Sequence, residues 1–318
     1  MGNAVKTVII TGANTGLGFA TAKHLAYQKP DWQLVLACRN ESKAAAATAK
    51  LIQTTGNNNI SYLPCDLSSF DQVRAFVDAF KQAKFPPLHG IICNAGLSGE
   101  DTLELTTDGI EKTFQVNYLS HFLLVYLLLP AMQKDSRIIL ISSELHRNDG
   151  PMKSFWPEYT TAKQLAYPVQ SGCPNKDSGA HRYSTSKLCL ILYAHMLAKR
   201  LPMNNFANIT VNAVNPGLMP DTGLGGLNKK LLRKWFLKYL LPLFTPGAVS
   251  TPEKSGKLIA ELMCSDAYKG VSGQYFDRHK NVPPSNESFD EKKMKDLWES
   301  SLEMLFLNGR LLENGAPN

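Results

Sequence analysis

The strongest constraint on this chain is a glycine-rich turn set between an apolar, β-branched run and a helix-forming stretch. The run VKTVIIT leads into Gly12-Ala13-Asn14-Thr15-Gly16-Leu17-Gly18, and helix-favouring residues follow. Glycines there allow a tight turn, let backbone approach a pyrophosphate, and let the helix pack close to the strand, while the helix N-terminus supplies unpaired N–H groups. Glycines at this spacing also occur in ordinary turns. Strand before and helix after, near the start of the chain, is the context that gives them meaning.

Similar alternation continues through the first two thirds of the sequence. Strands are expected at VKTVIITG, WQLVLAC, ISYLPCD, GIICNAG, RIILISS and TVNAVNPG, and helices near 17–28, 41–54, 70–83, 105–132 and 184–201. Six strands joined by crossover helices predict the α/β class, a Rossmann-type doubly wound parallel sheet. A length of 318 residues accommodates this as a single domain with insertions near the ligand crevice, at about 147–182 and 219–250. Beyond Leu307 the apolar periodicity stops, and the last dozen residues are expected to fray.

Composition removes several classes of function. The net charge of +7 comes from scattered Lys and Arg with no helix-turn-helix, zinc-finger or RNA-binding signature, so no nucleic-acid partner is expected. Six cysteines lie far apart without a C-x-x-C pair, and seven histidines form no ligand spacing, so neither a metal site nor a disulfide framework is expected. With no secretory leader pattern, a reducing setting is expected, either cytoplasmic or an organelle stroma.

Ligands of doubly wound sheets bind at the carboxyl ends of the strands. The second strand ends at Arg39, where an NAD site would present a carboxylate to the ribose. A guanidinium there suits a 2′-phosphate, so NADP(H) is the expected cofactor. Asp66 and Asn94-Ala95-Gly96 end the next two strands, where adenine and ribose would lie. Asp and Asn equally suit turns and caps, and Arg39 could be a solvated arginine.

The chemistry is carried by Tyr183-Ser184-Thr185-Ser186-Lys187, read as opening a helix. Residues four apart share a face, which brings a phenol and an ammonium together. The ammonium is expected to lower the phenol's pKa toward neutrality and so fit it for proton transfer. Ser143 ends the fifth strand and can stabilise charge on a substrate oxygen, with Ser142 as its competitor on the opposite face. Asn117 lies inside the apolar stretch TFQVNYLSHFLLVYLLL, either as a relay that holds water near Lys187 or as a satisfied core amide.

In the order TGANTGLG, CNAG, VNYLSHF, ISS, YSTSK and NPG, these motifs resemble the short-chain dehydrogenase/reductase family over nearly the whole chain. The resemblance implies that Asn117, Ser143, Tyr183 and Lys187 form a catalytic tetrad. It implies too that Lys187 binds the nicotinamide ribose, that Asp66 and Leu67 flank adenine, and that Asn94 supports the sheet beside the cofactor. Pro216 and Gly217 would line the cofactor, with Thr222 on the nicotinamide amide or pyrophosphate. Within the family the chain most resembles light-dependent protochlorophyllide reductases, then retinol-dehydrogenase-like carbonyl reductases. Leu218 stands where the photoenzymes carry a cysteine, and ISSELHR looks more like the retinol-dehydrogenase branch. The resemblance therefore implies a thermal carbonyl or alcohol reaction first and photochemical C=C reduction second.

Residues 227–241 mix Trp, Phe, Leu and Tyr with Lys and Arg. They are read as an ordinary amphipathic helix, a lid over a hydrophobic small-molecule substrate, or a peripheral membrane contact. From another class altogether, the rival reading is a dinucleotide-binding regulator without turnover. Oligomeric state is left open by the sequence.

Overall fold

A computed structural model describes residues 5–98, 102–149, 156–171, 178–219, 250–308 and 311–312. The expected strands form as β1 (Lys6–Thr11), β2 (Trp32–Cys38), β3 (Ile60–Pro64), β4 (Leu88–Cys93), β5 (Met132–Ile141) and β6 (Thr210–Asn215). Two more, β7 (Tyr275–Asp277) and β8 (Lys280–Asn281), extend the sheet to eight strands in the order β3-β2-β1-β4-β5-β6-β7-β8. All pairings are parallel except β7 with β8. The fold is therefore the doubly wound α/β sheet expected, widened by two strands too short to show alternation.

Central strands are buried on both faces, as a helix-covered parallel sheet requires. Alternate residues divide between two cores. Val8, Ile10, Leu34 and Leu36 face α1 (Gly16–Gln28), α2 (Glu41–Thr55) and α7 (Pro252–Cys264), whereas Ile9, Val35 and Ile91 face the other layer. That second layer contains α3 (Phe70–Gln82), the helical run α4 (Lys112–Ala131), the short α5 (Ala162–Ala166), α6 (Gly179–Met203) and α8 (Glu291–Met304). Trp298 of α8 lies 5.1 Å from the Phe122 ring, so the carboxyl-terminal helix seals α4 and α6.

Three boundaries differ from expectation. Residues 105–111 form a turn closed by a Leu105–Glu111 bridge, because Gly109 takes φ +75° and stops helix formation until Glu111 caps Thr113 and Phe114. The Tyr183 helix begins five residues earlier than the expected 184, where Ser178 accepts from the His181 N–H. Finally, within the stretch expected to fray, Leu312 is buried and its carbonyl accepts from Arg200.

Among the described residues one helical run, Lys112–Ala131, is long and apolar enough to cross a bilayer. Its most apolar window is 83% buried within the fold, which marks it as a core helix.

The chain reverses direction across the sheet between β1 and β4, so the carboxyl ends of these neighbours form the crevice. Helix α1 is pressed against α7 beside it. A Cβ at Gly256 would lie 2.7 Å from the Ala20 carbonyl carbon and 2.8 Å from the Thr21 nitrogen. Gly256→Ala should therefore cost about 1–3 kcal/mol by overpacking. Urea unfolding checks this, and an unchanged midpoint would contradict the packing.

Candidate active site

Helix α6 carries Tyr183 in its second turn and Lys187 one turn later. The Ser143 side chain, just past β5, lies near enough to the Tyr183 phenol to favour its ionised form. The Lys187 ammonium is 5.4 Å from the Tyr183 ring centre and donates to the Ile141 carbonyl at 2.8 Å. Ser142 faces the other way and donates to the Lys187 carbonyl at 2.8 Å. Strand end and helix are thus joined by two bonds, and Ser143 is the serine set beside the phenol.

The electrostatics correct one expectation. Burial holds the Tyr183 phenol above its ordinary range, and the nearby Ser143 hydroxyl only partly offsets that. Burial also pulls Lys187 down to about 8. Desolvation penalises whichever form carries charge, so phenol and ammonium are both displaced toward neutrality.

The residues between them also make specific bonds. Ser184 turns back to the Ala180 carbonyl at 2.9 Å, and Thr185 accepts from the Glu158 N–H at 2.9 Å. Ser186 donates to the Tyr183 carbonyl at 2.6 Å and accepts from Asn117 Nδ2 at 2.9 Å. Arg182, just before the tyrosine, lies 3.3 Å from the buried Glu111 carboxylate and ties α6 to the start of α4.

Asn117 lies in a π-helical stretch, Gln115–Leu119, inside α4. Such widened turns free backbone groups from the regular ladder and recur at functional sites. Asn117 Oδ1 accepts from the Leu97 N–H at 2.8 Å, and Nδ2 donates to the Leu97 carbonyl at 2.9 Å and to Ser186. Its side chain is a satisfied core amide linking the loop after β4 to α6. Gly96 is the close approach that permits this, since a Cβ there would lie 3.1 Å from Asn117 Oδ1 and 3.6 Å from Lys187 Nζ.

His121, absent from the expected site, completes the link to the glycine turn. Its Nδ1 is 3.0 Å from the Asn117 carbonyl, and its Nε2 is 2.9 Å from Thr11 Oγ1. A carbonyl cannot donate, so the proton sits on Nδ1 and Nε2 accepts from the threonine. Burial lowers His121 to about 4, which keeps it neutral. Thr11 Oγ1 in turn accepts the N–H groups of Asn94 and Ala95, each at 2.9 Å. The sequence signal for His121 was its place one turn after Asn117 in an otherwise apolar helix.

At the glycine turn, Gly12 and Gly16 take φ +66° and +57°. A Cβ at Gly18 would fall 2.6 Å from Asn94 Nδ2, which itself donates to the Thr11 carbonyl at 2.8 Å. Asn14 and Thr15 edge the turn, and Leu17 is buried beneath it. Helix α1 has no side-chain cap and no acidic residue in its first turn, whereas α2 and α3 have both. Its leading N–H groups thus remain suited to an anion. Arg39 is exposed at the end of β2 with no ion pair among the described residues, so its guanidinium is available to a phosphate.

Asp66 follows β3, and its Oδ1 accepts from the Ser68 backbone and hydroxyl, a turn-forming role that leaves Oδ2 to a ligand. Leu67 is buried beside it, its carbonyl bonded by Ser120 at 2.6 Å. The Pro216 carbonyl accepts from Ser255 at 2.6 Å, and Gly217 takes φ +88° with its N–H on Asn215 Oδ1. Thr222 and residues 227–241 lie outside the described residues.

The Lys187 value has a consequence for stability. In the unfolded chain a lysine holds its proton to about pH 10.4, whereas the folded protein releases it near 8. Between those values the unfolded state binds more protons, so native stability rises with pH. The cost of burying the ammonium is fully present below pH 8 and fades above it. Lys187→Met should therefore be more stable than the parent at pH 7, with the difference shrinking toward pH 10 in paired denaturant titrations. A constant gap would contradict the depressed lysine.

Comparison with known proteins fits this geometry. Residues 6–166 match the family model described as short chain dehydrogenase. The chain is 34% identical over 300 residues to a WW domain-containing oxidoreductase of Gallus gallus, covering 93% of this chain and 67% of that protein. It thus spans about two thirds of the length of that relative. A polyprenol dehydrogenase of Homo sapiens is 30% identical, covering 94% of this chain and 84% of that one. A protochlorophyllide reductase of Avena sativa is 32% identical, covering 94% and 99%. Among solved structures, an angucycline C-6 ketoreductase with bound NADP superposes with a TM-score of 0.62 at 23% identity, covering 87% of this chain and 95% of that one. Family model and relatives agree, and the chain belongs to the short-chain dehydrogenase family of oxidoreductases.

Proposed function

We propose that this protein is an NADP(H)-dependent oxidoreductase that interconverts a carbonyl and an alcohol on an apolar small molecule, with Tyr183 as its proton-transfer residue. The observation that carries this reading is the Lys187 ammonium held beside the Tyr183 ring by the Ile141 carbonyl, with the Ser143 hydroxyl close to the phenol, at the carboxyl end of β5. The uncapped α1 and the glycine turn would hold the pyrophosphate, Arg39 the 2′-phosphate, and Lys187 the nicotinamide ribose. The ketoreductase of similar fold holds NADP, and one relative is named for a polyprenol, a long apolar alcohol. The setting that goes with this reading is a reducing compartment such as the cytoplasm. Residues 227–241 would supply the apolar cover.

The nicotinamide, when bound, exchanges a hydride with the substrate carbon. In the reductive direction Tyr183 gives its phenolic proton to the substrate oxygen, and the Ser143 hydroxyl donates a second bond to that oxygen. The resulting phenolate is stabilised by the nearby ammonium. Asn117 holds Ser186 and the loop after β4 in place, so tyrosine and lysine keep their spacing. Reprotonation of the phenol restores the resting site.

NADPH consumption against aldehydes, ketones, quinones and a chlorophyll precursor, each in darkness and under illumination, tests the reading. Dark turnover of a carbonyl supports it. Turnover of the chlorophyll precursor only in light would instead favour the photochemical alternative suggested by the Avena relative, and NADPH binding without turnover would indicate a regulator. Tyr183→Phe should lower kcat by about 100-fold or more, the usual contribution of a positioned acid. Arg39→Asp should raise KM for NADPH about tenfold or more and leave NADH little changed, since bonds to a charged group contribute roughly 1.5–3 kcal/mol. An unchanged NADPH to NADH ratio would reject the Arg39 role.

A further inference from the structure

His146 is unused by the proton transfer described above, yet its ring is fully buried at the end of the 3-10 turn Glu144–His146 that follows Ser143. Nδ1 lies 2.7 Å from the Ser143 carbonyl oxygen, and Nε2 lies 3.0 Å from the Ser285 backbone nitrogen. A carbonyl only accepts and a backbone N–H only donates. Both bonds therefore coexist in a single form of the ring, neutral with its proton on Nδ1. Burial favours that form, holding the imidazole down to about 4. The Tyr275 ring, 4.8 Å away on β7, fixes the plane of the imidazole. Arg147 adds a second strap from the same turn to the Pro283 carbonyl.

We infer that His146 is a positioning residue, which hangs the Ser143 turn from the carboxyl-terminal segment at Ser285 and so sets the angle of the Ser143 hydroxyl toward Tyr183. Ser143 is gripped at its carbonyl by His146, while its hydroxyl accepts from the Leu145 N–H at 3.3 Å and meets the phenol. Freed from His146, the turn can rotate about Ser143 while the glycine turn at the other end of the crevice keeps its geometry. The kinetic consequence rests on the proposed function, but the structural link does not.

Kinetics with NADPH and the fastest carbonyl of the panel provide the first test. His146→Phe keeps the ring against Tyr275 but removes both bonds. It should lower kcat about tenfold, within the range that small misplacements cost, and leave KM for NADPH unchanged. His146→Asn places an amide nitrogen near the Nδ1 position, where it can again donate to Ser143, and should recover most of the loss. Ser285→Pro removes the N–H at a residue whose φ of −62° suits proline, and should reproduce part of the His146→Phe defect. An unchanged kcat in His146→Phe overturns the inference. So does a loss shared equally by kcat, NADPH affinity and melting temperature that His146→Asn fails to relieve.

A second arm separates this inference from the functional reading. Histidine 15N NMR of the whole protein should show His146 neutral with its proton on Nδ1, and amide exchange at residues 143–147 should quicken in His146→Phe and Ser285→Pro. If the parent reduces no carbonyl, these measurements still decide. The opposite tautomer, or unchanged exchange, overturns the link.

Discussion

Lys187 buries an ammonium group at the mouth of a parallel sheet, and its bond to the Ile141 carbonyl is what makes that tolerable. Only 4% of the residue is exposed, so the charge must be met by protein dipoles. Ile141 is the last residue of β5, where the ladder ends and a carbonyl can turn to a side chain. The next residue, Ser142, returns a bond to the Lys187 carbonyl, and the one after, Ser143, reaches Tyr183. Three consecutive residues thereby set the position of α6 against β5 and place its phenol. The desolvation that depresses the lysine and raises the tyrosine follows from the same burial.

Behind this arrangement runs a polar seam that crosses the core. It passes from Ser186 through the Asn117 amide and carbonyl to His121, then to Thr11 and the N–H groups of Asn94 and Ala95. A partly satisfied seam of this kind would be worse than an apolar core. Here the named donors and acceptors are matched, and the matching demands specific tautomers and a widened turn in α4. The seam connects the end of the crevice that would hold pyrophosphate with the end that would carry chemistry. A change at Thr11 or Asn117 therefore reaches both.

The sheet was largely legible because β-branched runs such as VIIT and LVLAC sort their side chains into two cores by simple alternation. Tyr275–Asp277 escaped notice, since three residues carry too little pattern and the strand exists by pairing with β6. Boundaries failed where one residue decides the backbone, as Gly109 does before α4 and Ser178 does before α6. In the site, the four-residue spacing of Tyr183 and Lys187 gave their shared face directly. The direction of the phenol's shift was not legible, because it depends on how deeply tertiary packing desolvates the group. His121 and His146 were hidden for a related reason, their partners Thr11 and Ser285 lying 110 and 139 positions away.

On the proposed reading, the raised phenol also bears on direction. Giving a proton to a carbonyl oxygen requires the neutral phenol, and a tyrosine held above its ordinary value is in that form at neutral pH. The same step requires a positive charge close by to stabilise the phenolate that results, and a lysine that titrates near 8 still carries it at pH 7. Alcohol oxidation needs the phenolate at the start, which burial opposes. Above pH 8 the ammonium loses its proton before the phenol does, so alkaline conditions weaken reduction without making the phenolate easier to form. The protein's own groups therefore support proton donation at neutral pH, and oxidation would require the phenolate to be stabilised by groups that arrive with the cofactor or substrate.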